Sequence, residues 1–138
     1  PVFKKTNNQH AEQLRTEENF GLFDWTIKCL KNYANFSGRA RRKEYWYFYL
    51  FQILIGLLIG LSLGIMGMSD NGIDAISGLL SLFFLLPTLA AGVRRLHDVD
   101  RSGWWMLLMF TIIGLIPLLI WTVMETKPES NQWGEPAK

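Results

Sequence analysis

The chain's apolar residues fall into three long runs, and nearly all of its charge lies between them. Tyr45–Met68, Ala75–Val93 and Trp104–Met124 contain no Asp, Glu, Lys or Arg. A helix that crosses the hydrocarbon core of a bilayer needs about 20 mostly apolar residues, and a charge at its centre costs a few kcal/mol or more. Each run therefore predicts a membrane-spanning helix, the first long enough to span with tilt. Charge-free runs set between charged connectors argue against the core helices of a soluble bundle. Pro87 and Pro117 fall inside the second and third runs. Kinks are expected there, because spanning helices tolerate proline where neighbours satisfy the freed backbone groups.

Ahead of the first run, Phe20, Phe23, Ile27, Leu30 and Ala34 recur at helical spacing, with Trp25, Lys28, Lys31 and Asn32 largely off that stripe. This predicts an amphipathic helix at the cytoplasmic surface, capped by Asn19 or Asp24, resting either on the membrane or on the protein's own loops. Residues 1–18 are polar and mixed in charge, and read as a flexible tail. With no apolar core before Phe20, the first run is expected to direct its own insertion. Residues 19–138 then form a single membrane domain that ends in a tail over 125–138.

Charge placement gives an expected direction. The segment before the first run carries Lys28, Lys31, Arg39, Arg41, Arg42 and Lys43, and the connector 94–103 carries Arg94, Arg95 and Arg101. The connector 69–74 has no basic residue and holds Asp70 and Asp74. With three spans the two basic segments share a side, which the bias of Lys and Arg assigns to the cytoplasm. The N-terminus is then expected to be cytoplasmic and the C-terminus periplasmic or extracellular. Tyr45, Trp46 and Tyr47, with Trp104 and Trp105, sit at the expected cytoplasmic edges, and Trp121 sits near the other edge, where amphipathic rings favour the interface. The 49% hydrophobic content of the 138 residues would suit a soluble domain too, so the distribution decides. Cys29 is the only cysteine, which excludes an intrachain disulfide and a cysteine metal cluster.

Gly56, Gly60 and Gly64 form a small-residue ladder on one face of the first run. Such a ladder lets helix backbones approach closely, either within the three-helix chain, the favoured reading, or in a homo-oligomer.

Two clusters carry candidate chemistry. One is Gly38-Arg39-Ala40-Arg41-Arg42-Lys43-Glu44-Tyr45-Trp46; the other runs Arg94-Arg95-Leu96-His97-Asp98 and on through Arg101, Ser102, Trp104 and Trp105. Together with Asn131, Trp133, Gly134, Glu135 and Pro136 near the C-terminus, they closely resemble the domain of unknown function 805 family of small bacterial inner-membrane proteins. The resemblance runs from about Phe23 to the C-terminus, and Glu135 stands where the family usually has Asp. It implies a bacterial inner-membrane location and no established activity.

Arginine offers a planar fork of donors suited to phosphate, and tryptophan favours headgroup depth. Arg39, Arg42, Trp46, Arg94, Arg95, His97, Asp98, Arg101 and Trp104 are therefore the candidate residues for binding anionic phospholipid or a protein partner. The competing reading is structural, with Arg94 and Arg95 paired to Asp98 and Asp100, and Arg39 or Arg42 paired to Glu44. His97, Asp98 and Asp100 are too few and too local for a closed metal site. The closeness of His97, Asp98 and Ser102 in sequence does not supply the geometry of a hydrolase triad. No phosphate loop or dinucleotide fingerprint is present, so no cofactor is expected. Basic residues that hug the membrane edge do not suit nucleic acid.

The sequence thus predicts an all-α membrane protein, three transmembrane helices preceded by an amphipathic cytoplasmic helix. The expected role is a non-enzymatic module with an Arg/Trp-rich cytoplasmic face. The alternatives are an enzyme acting on lipid headgroups through His97 and Asp98, and a small oligomeric channel.

Overall fold

A computed structural model describes the backbone of residues 2–138 and the side-chain surroundings of residues 8–138. The elements are helices: α1 (Val2–Glu17), α2 (Leu22–Lys31), α3 (Arg42–Ile65), α4 (Asp70–Asp98), a 3-10 helix (Gly103–Phe110) and α5 (Leu115–Val123). No strand forms among the described residues, where an isolated bridge pairs Asn131 with Gly134.

Two of these helices, α3 with 24 residues and α4 with 29, are long and apolar enough to cross a membrane. At 1.5 Å per residue they measure about 36 Å and about 44 Å. They run antiparallel, because Glu44 meets Arg94 near one end and Gln52 meets Thr88 further along. Gly67, at φ +79°, ends α3 in a conformation that glycine adopts without steric cost, and the Ser69 side chain caps α4 by accepting from Gly72 N–H at 3.3 Å. Phe48 and Phe84 pack edge to face between the helices, ring centroids 5.9 Å apart, against buried Cys29 and Ala91. Beyond that core Leu57, Leu58, Leu61, Ile65, Leu79, Leu82 and Phe83 are all exposed, an outward belt of apolar side chains. α4 continues through Pro87.

The segment expected to be an amphipathic helix holds α2, which turns Trp25 and Cys29 toward the protein and leaves part of the apolar stripe outward. Gly21 is its cap residue, and Asp24 Oδ2 accepts from Gly21 N–H at 3.0 Å. Trp25 and Cys29 are fully buried, whereas Phe23 is 68% exposed and Ile27 is 50% exposed. The segment expected to be a polar tail is helical over Val2–Glu17, and its last residue is tied into the fold: Glu17 is buried and pairs with Lys28 and Arg41.

The third run departs most from expectation. It is not one spanning helix but two short pieces, the 3-10 helix and α5, that double back at residues 111–114. The physical reason lies in Thr111, Gly114 and Pro117. Thr111 Oγ1 donates to Leu108 O at 3.0 Å and accepts from Gly114 N–H at 3.0 Å, closing the bend. A Cβ on Gly114 would lie 2.5 Å from Leu108 O, so this bend needs glycine. Pro117 has no N–H for a continuous helix; by starting α5 at Leu115 the chain places it in the first turn, where no bond is lost.

The glycine ladder also differs. A Cβ at Gly56, Gly60 or Gly64 would meet nothing within 4 Å. Close helix packing on this ladder is therefore not seen among the described residues, although Gly56 lines a groove with Ser77, Leu80, Ser81 and Phe84 of α4.

Because Trp25 is enclosed and Phe23 is not, Trp25→Ala is expected to cost about 3–5 kcal/mol. Phe23→Ala is expected to cost under about 1 kcal/mol. Thermal melts in detergent check this, and equal losses would reject the docking of α2 described above.

Candidate functional site

Three stretches far apart in sequence converge where α3 begins and α4 ends. They are the loop Gly38–Arg41, the last turn of α4, and the C-terminal segment 122–137. At their centre is Asp98, which is fully buried. Its Oδ1 accepts from Arg39 Nε at 2.9 Å and from Ala137 N–H at 3.3 Å. Its Oδ2 accepts from Arg95 Nη1 at 2.8 Å and from the Thr126 hydroxyl at 2.6 Å. A carboxylate offers about four acceptor positions, and all are taken. The Asp98 carbonyl adds two more bonds, from Arg39 Nη2 at 3.0 Å and from Lys127 N–H at 3.2 Å.

Arg39 is equally committed. A guanidinium has five N–H donors. Besides Asp98 Oδ1 and O, Arg39 donates to the carbonyls of Lys127 at 2.7 Å, Glu129 at 2.8 Å and Gly134 at 3.3 Å. Arg95, with no exposed surface, reaches Thr122 O at 3.1 Å, Met124 O and Ala40 O besides Asp98. The two guanidiniums carry one positive charge more than Asp98 returns. Backbone carbonyls offset the excess, among them Thr122 O at the end of α5, where helix carbonyls lack intrahelical partners and carry partial negative charge.

His97 completes the junction. Its Nδ1 lies 2.9 Å from Gly38 O, and its ring stacks on Trp133 at 4.3 Å with planes 5° apart. Asn131 Nδ2 donates to His97 O at 2.8 Å. Burial holds the imidazole below its usual range, against a smaller upward pull from the Gly38 carbonyl.

A second buried node lies on the α2 side. Arg94 Nη1 donates to Glu44 Oε1 at 2.6 Å, and Lys28 lies 3.7 Å from Glu44 Oε2. The Cys29 thiol donates to the same carboxylate at 3.6 Å, and burial pushes its pKa up, so it is not a ready nucleophile. Arg41 stacks over Trp25 at 5.2 Å. Arg94 Nε and Nη2, Trp25 Nε1, Glu44 Oε2 and Glu17 Oε2 are buried with no hydrogen-bond partner among the described residues, although Lys28 and Arg41 lie within ion-pair distance of the two carboxylate oxygens.

The remaining expected residues lie on an outer rim. Arg42 pairs with Glu125, both about half exposed. Trp46 Nε1 donates to Thr122 O at 2.9 Å. Arg42, Lys43, Trp46, Tyr47 and Leu50 line a groove of about 280 Å³. Arg101 sits over the Trp121 ring at 5.1 Å, and Trp104 is 80% exposed.

The structure therefore sorts the nine candidates. Arg39, Arg94, Arg95, His97 and Asp98 are interior; Arg42, Trp46, Arg101 and Trp104 are on the rim. Arg95 pairs with Asp98 as the structural reading expected, but Asp100 forms the turn after α4 at φ +63°, and Arg94, not Arg39 or Arg42, takes Glu44. The sequence reading missed Glu17, Trp25 and Thr126. It noticed Asn131, Trp133 and Gly134 without a role for them. Ser102 Oγ accepts from Trp104 N–H, which gives it a capping role beside the 3-10 helix.

Comparison with known proteins fits this set of motifs. The family described as protein of unknown function (DUF805) matches residues 33–135. The inner membrane protein YhaI of Escherichia coli K12 is 44% identical over 115 residues, covering 83% of this chain and 95% of that protein. The inner membrane protein YhaH of the same strain is 39% identical over 117 residues, covering 83% and 97%. No solved structure matches the chain.

Breaking a buried ion pair from one side costs about 3–5 kcal/mol, because the other charge is stranded. Arg39→Ala is expected to lose that much and to expose the C-terminal segment to protease. Arg39→Lys is expected to rescue little, since an ammonium cannot present the five-donor fork. Recovery of wild-type melting by the lysine variant would show that charge alone suffices. A second outcome concerns pH. An unfolded His titrates near 6.5, and the folded His97 titrates lower, so the folded state binds fewer protons in between. Stability is expected to be full above about pH 6.5 and to fall as pH drops through that window, by at most about 1.4 kcal/mol per unit. Melts of wild type and His97→Gln at pH 7.5 and 5.5 check this; an equal pH slope in both would remove His97 as the cause.

Proposed function

The chain belongs to the DUF805 family, and from that membership, with relatives that are inner membrane proteins, we propose that it is a non-enzymatic membrane module whose basic and aromatic rim holds anionic phospholipid. In this reading α3 and α4 cross the bilayer, the junction lies at the cytoplasmic surface, and α2 rests there with Phe23 and Ile27 toward lipid. The observation that carries it is the division of the arginines. The guanidinium of Arg39 is consumed by the protein's own acceptors and that of Arg95 nearly so, while Arg42 and Lys43 stay at the mouth of a groove walled by Trp46, Tyr47 and Leu50. A cationic mouth over an apolar and aromatic wall matches a phosphate headgroup with its first acyl carbons. The filling of all four acceptor positions of Asp98 within the junction speaks against that carboxylate as the base of a headgroup enzyme, because a general base needs a free acceptor facing substrate. The open Gly56–Gly64 face supports a homo-oligomer, since a second helix has room to approach there.

Native mass spectrometry with cardiolipin and phosphatidylglycerol tests the rim. Each surface Lys or Arg contributes about 1 kcal/mol, so Arg42→Ala with Lys43→Ala is expected to weaken retention about 30-fold, with melting near that of wild type. Undiminished retention in the double variant would remove the lipid reading. The same spectra count the copies in the particle.

A further inference from the structure

The short pieces over 103–123 have an outward surface that nothing in the chain covers. Trp104, Phe110, Ile112 and Ile113 are each at least 80% exposed, and Leu107, Leu115, Ile116, Leu119 and Ile120 at least half. The side chains at the bend are the most exposed of all. Both roots of this hairpin are anchored to the same junction. Arg101 N–H donates to Leu96 O at 2.8 Å at one root, and Thr122 O and Met124 O accept from Arg95 at the other. The C-terminal segment beyond it is bonded to Arg39 and Asp98, where α3 begins. A single crossing would carry residue 124 to the far end of α3 and α4, so this geometry rules one out.

We propose that residues 103–123 are a re-entrant hairpin that enters one leaflet from the side of the junction, packs its apolar surface among the acyl chains of that leaflet, and returns to the same side. The dimensions match. Eight residues of 3-10 helix rise about 16 Å and nine of α-helix about 14 Å; half of a hydrocarbon core is about 15 Å. Most of the bend's backbone donors find partners internally, as backbone at membrane depth requires, although among the described residues the N–H groups of Ile112 and Ile113 have none. At the bend Thr111 N–H donates to Leu108 O at 3.0 Å, Leu115 N–H to Ile112 O at 3.3 Å and Ile116 N–H to Ile113 O at 3.3 Å. The Thr111 hydroxyl serves Gly114 N–H and Leu108 O. At the root, Trp105 packs on Trp121 at 5.7 Å and Arg101 covers Trp121, the amphipathic set that favours headgroup depth. The occupant of this surface is thus lipid from one leaflet, and the N- and C-terminal segments share a side.

Single-cysteine labelling with a membrane-impermeant maleimide tests the path, in sealed vesicles of both orientations. The native Cys29 is fully buried, so the wild type sets the background. Glu18→Cys and Ser130→Cys are expected to react together from one face, and Asn71→Cys from the other. Ile113→Cys and, as a second tip position, Phe110→Cys are expected to react from neither face until detergent is added. Reaction of Ser130→Cys on the face of Asn71→Cys, or of a tip cysteine in sealed vesicles of either orientation, would overturn the hairpin. Lipid retention reads the Arg42 groove and labelling reads the path of the chain, so either result can fail while the other stands.

Discussion

The structure hangs on one buried carboxylate. Asp98 sits at the end of the longest helix with no exposed surface, and a bare charge there would cost far more than the fold can bear. It is kept charged by four donors from three separate stretches: Arg39 from the loop before α3, Arg95 from its own helix, Thr126 and Ala137 from the C-terminal segment. Each of those donors brings its backbone with it. The loop is held by Ala40 N–H to Arg94 O at 2.9 Å, and the C-terminal segment by the three carbonyls that Arg39 gathers. One polar requirement at one residue therefore fixes the start of one long helix against the end of the other and fastens the last residues of the chain to both.

That requirement also decides what the third apolar run can be. Once Met124 and Lys127 must lie beside Arg95 and Asp98, the run has to leave the junction and return to it within 21 residues. A straight helix of that length would end about 30 Å away. Gly114 and Pro117 make the return possible, but the buried ions make it necessary. Local breaking signals and a distant electrostatic constraint agree, which is the condition for a single well-defined chain path.

The sequence made the helical class, the two long apolar helices and the meeting of the two arginine clusters legible, because uncharged length and charge placement are one-dimensional signals. It misled where the answer depends on direction. The α2 stripe of Phe23 and Ile27 is real, but lipid is as apolar as a protein core. A helix can carry two apolar faces, and periodicity does not say which one packs on protein. Trp25, largely off that stripe, is the one the protein encloses. In the third run hydropathy measured length and missed the turn, so Pro117 read as a kink. The part played by Thr126 and the segment 131–137 escaped notice because it is to donate or supply carbonyls to a charge nearly thirty residues or more upstream. Only the Asn131, Trp133 and Gly134 pattern hinted that this segment was more than a tail.

The separation of the arginines into two populations follows from the same physics. In the interior, a guanidinium is best held where its donors find acceptors of fixed position, and the carbonyls of a chain end are a dense supply of such acceptors. Arg39 and Arg95 exhaust that supply. Cations that arrive later along the surface, Arg42 with a half-exposed Glu125 and Arg101 with only a tryptophan face, have weaker claims on their partners. A pair between exposed charges is worth at most about 1 kcal/mol, so exchanging Glu125 for a lipid phosphate costs little, whereas exchanging Asp98 would dismantle the junction. Residues of one chemical type within a single short motif thus divide by the energy needed to release them. That energy, more than the identity of the side chain, assigns the inner ones to architecture and leaves the outer ones free for the contact with lipid proposed above.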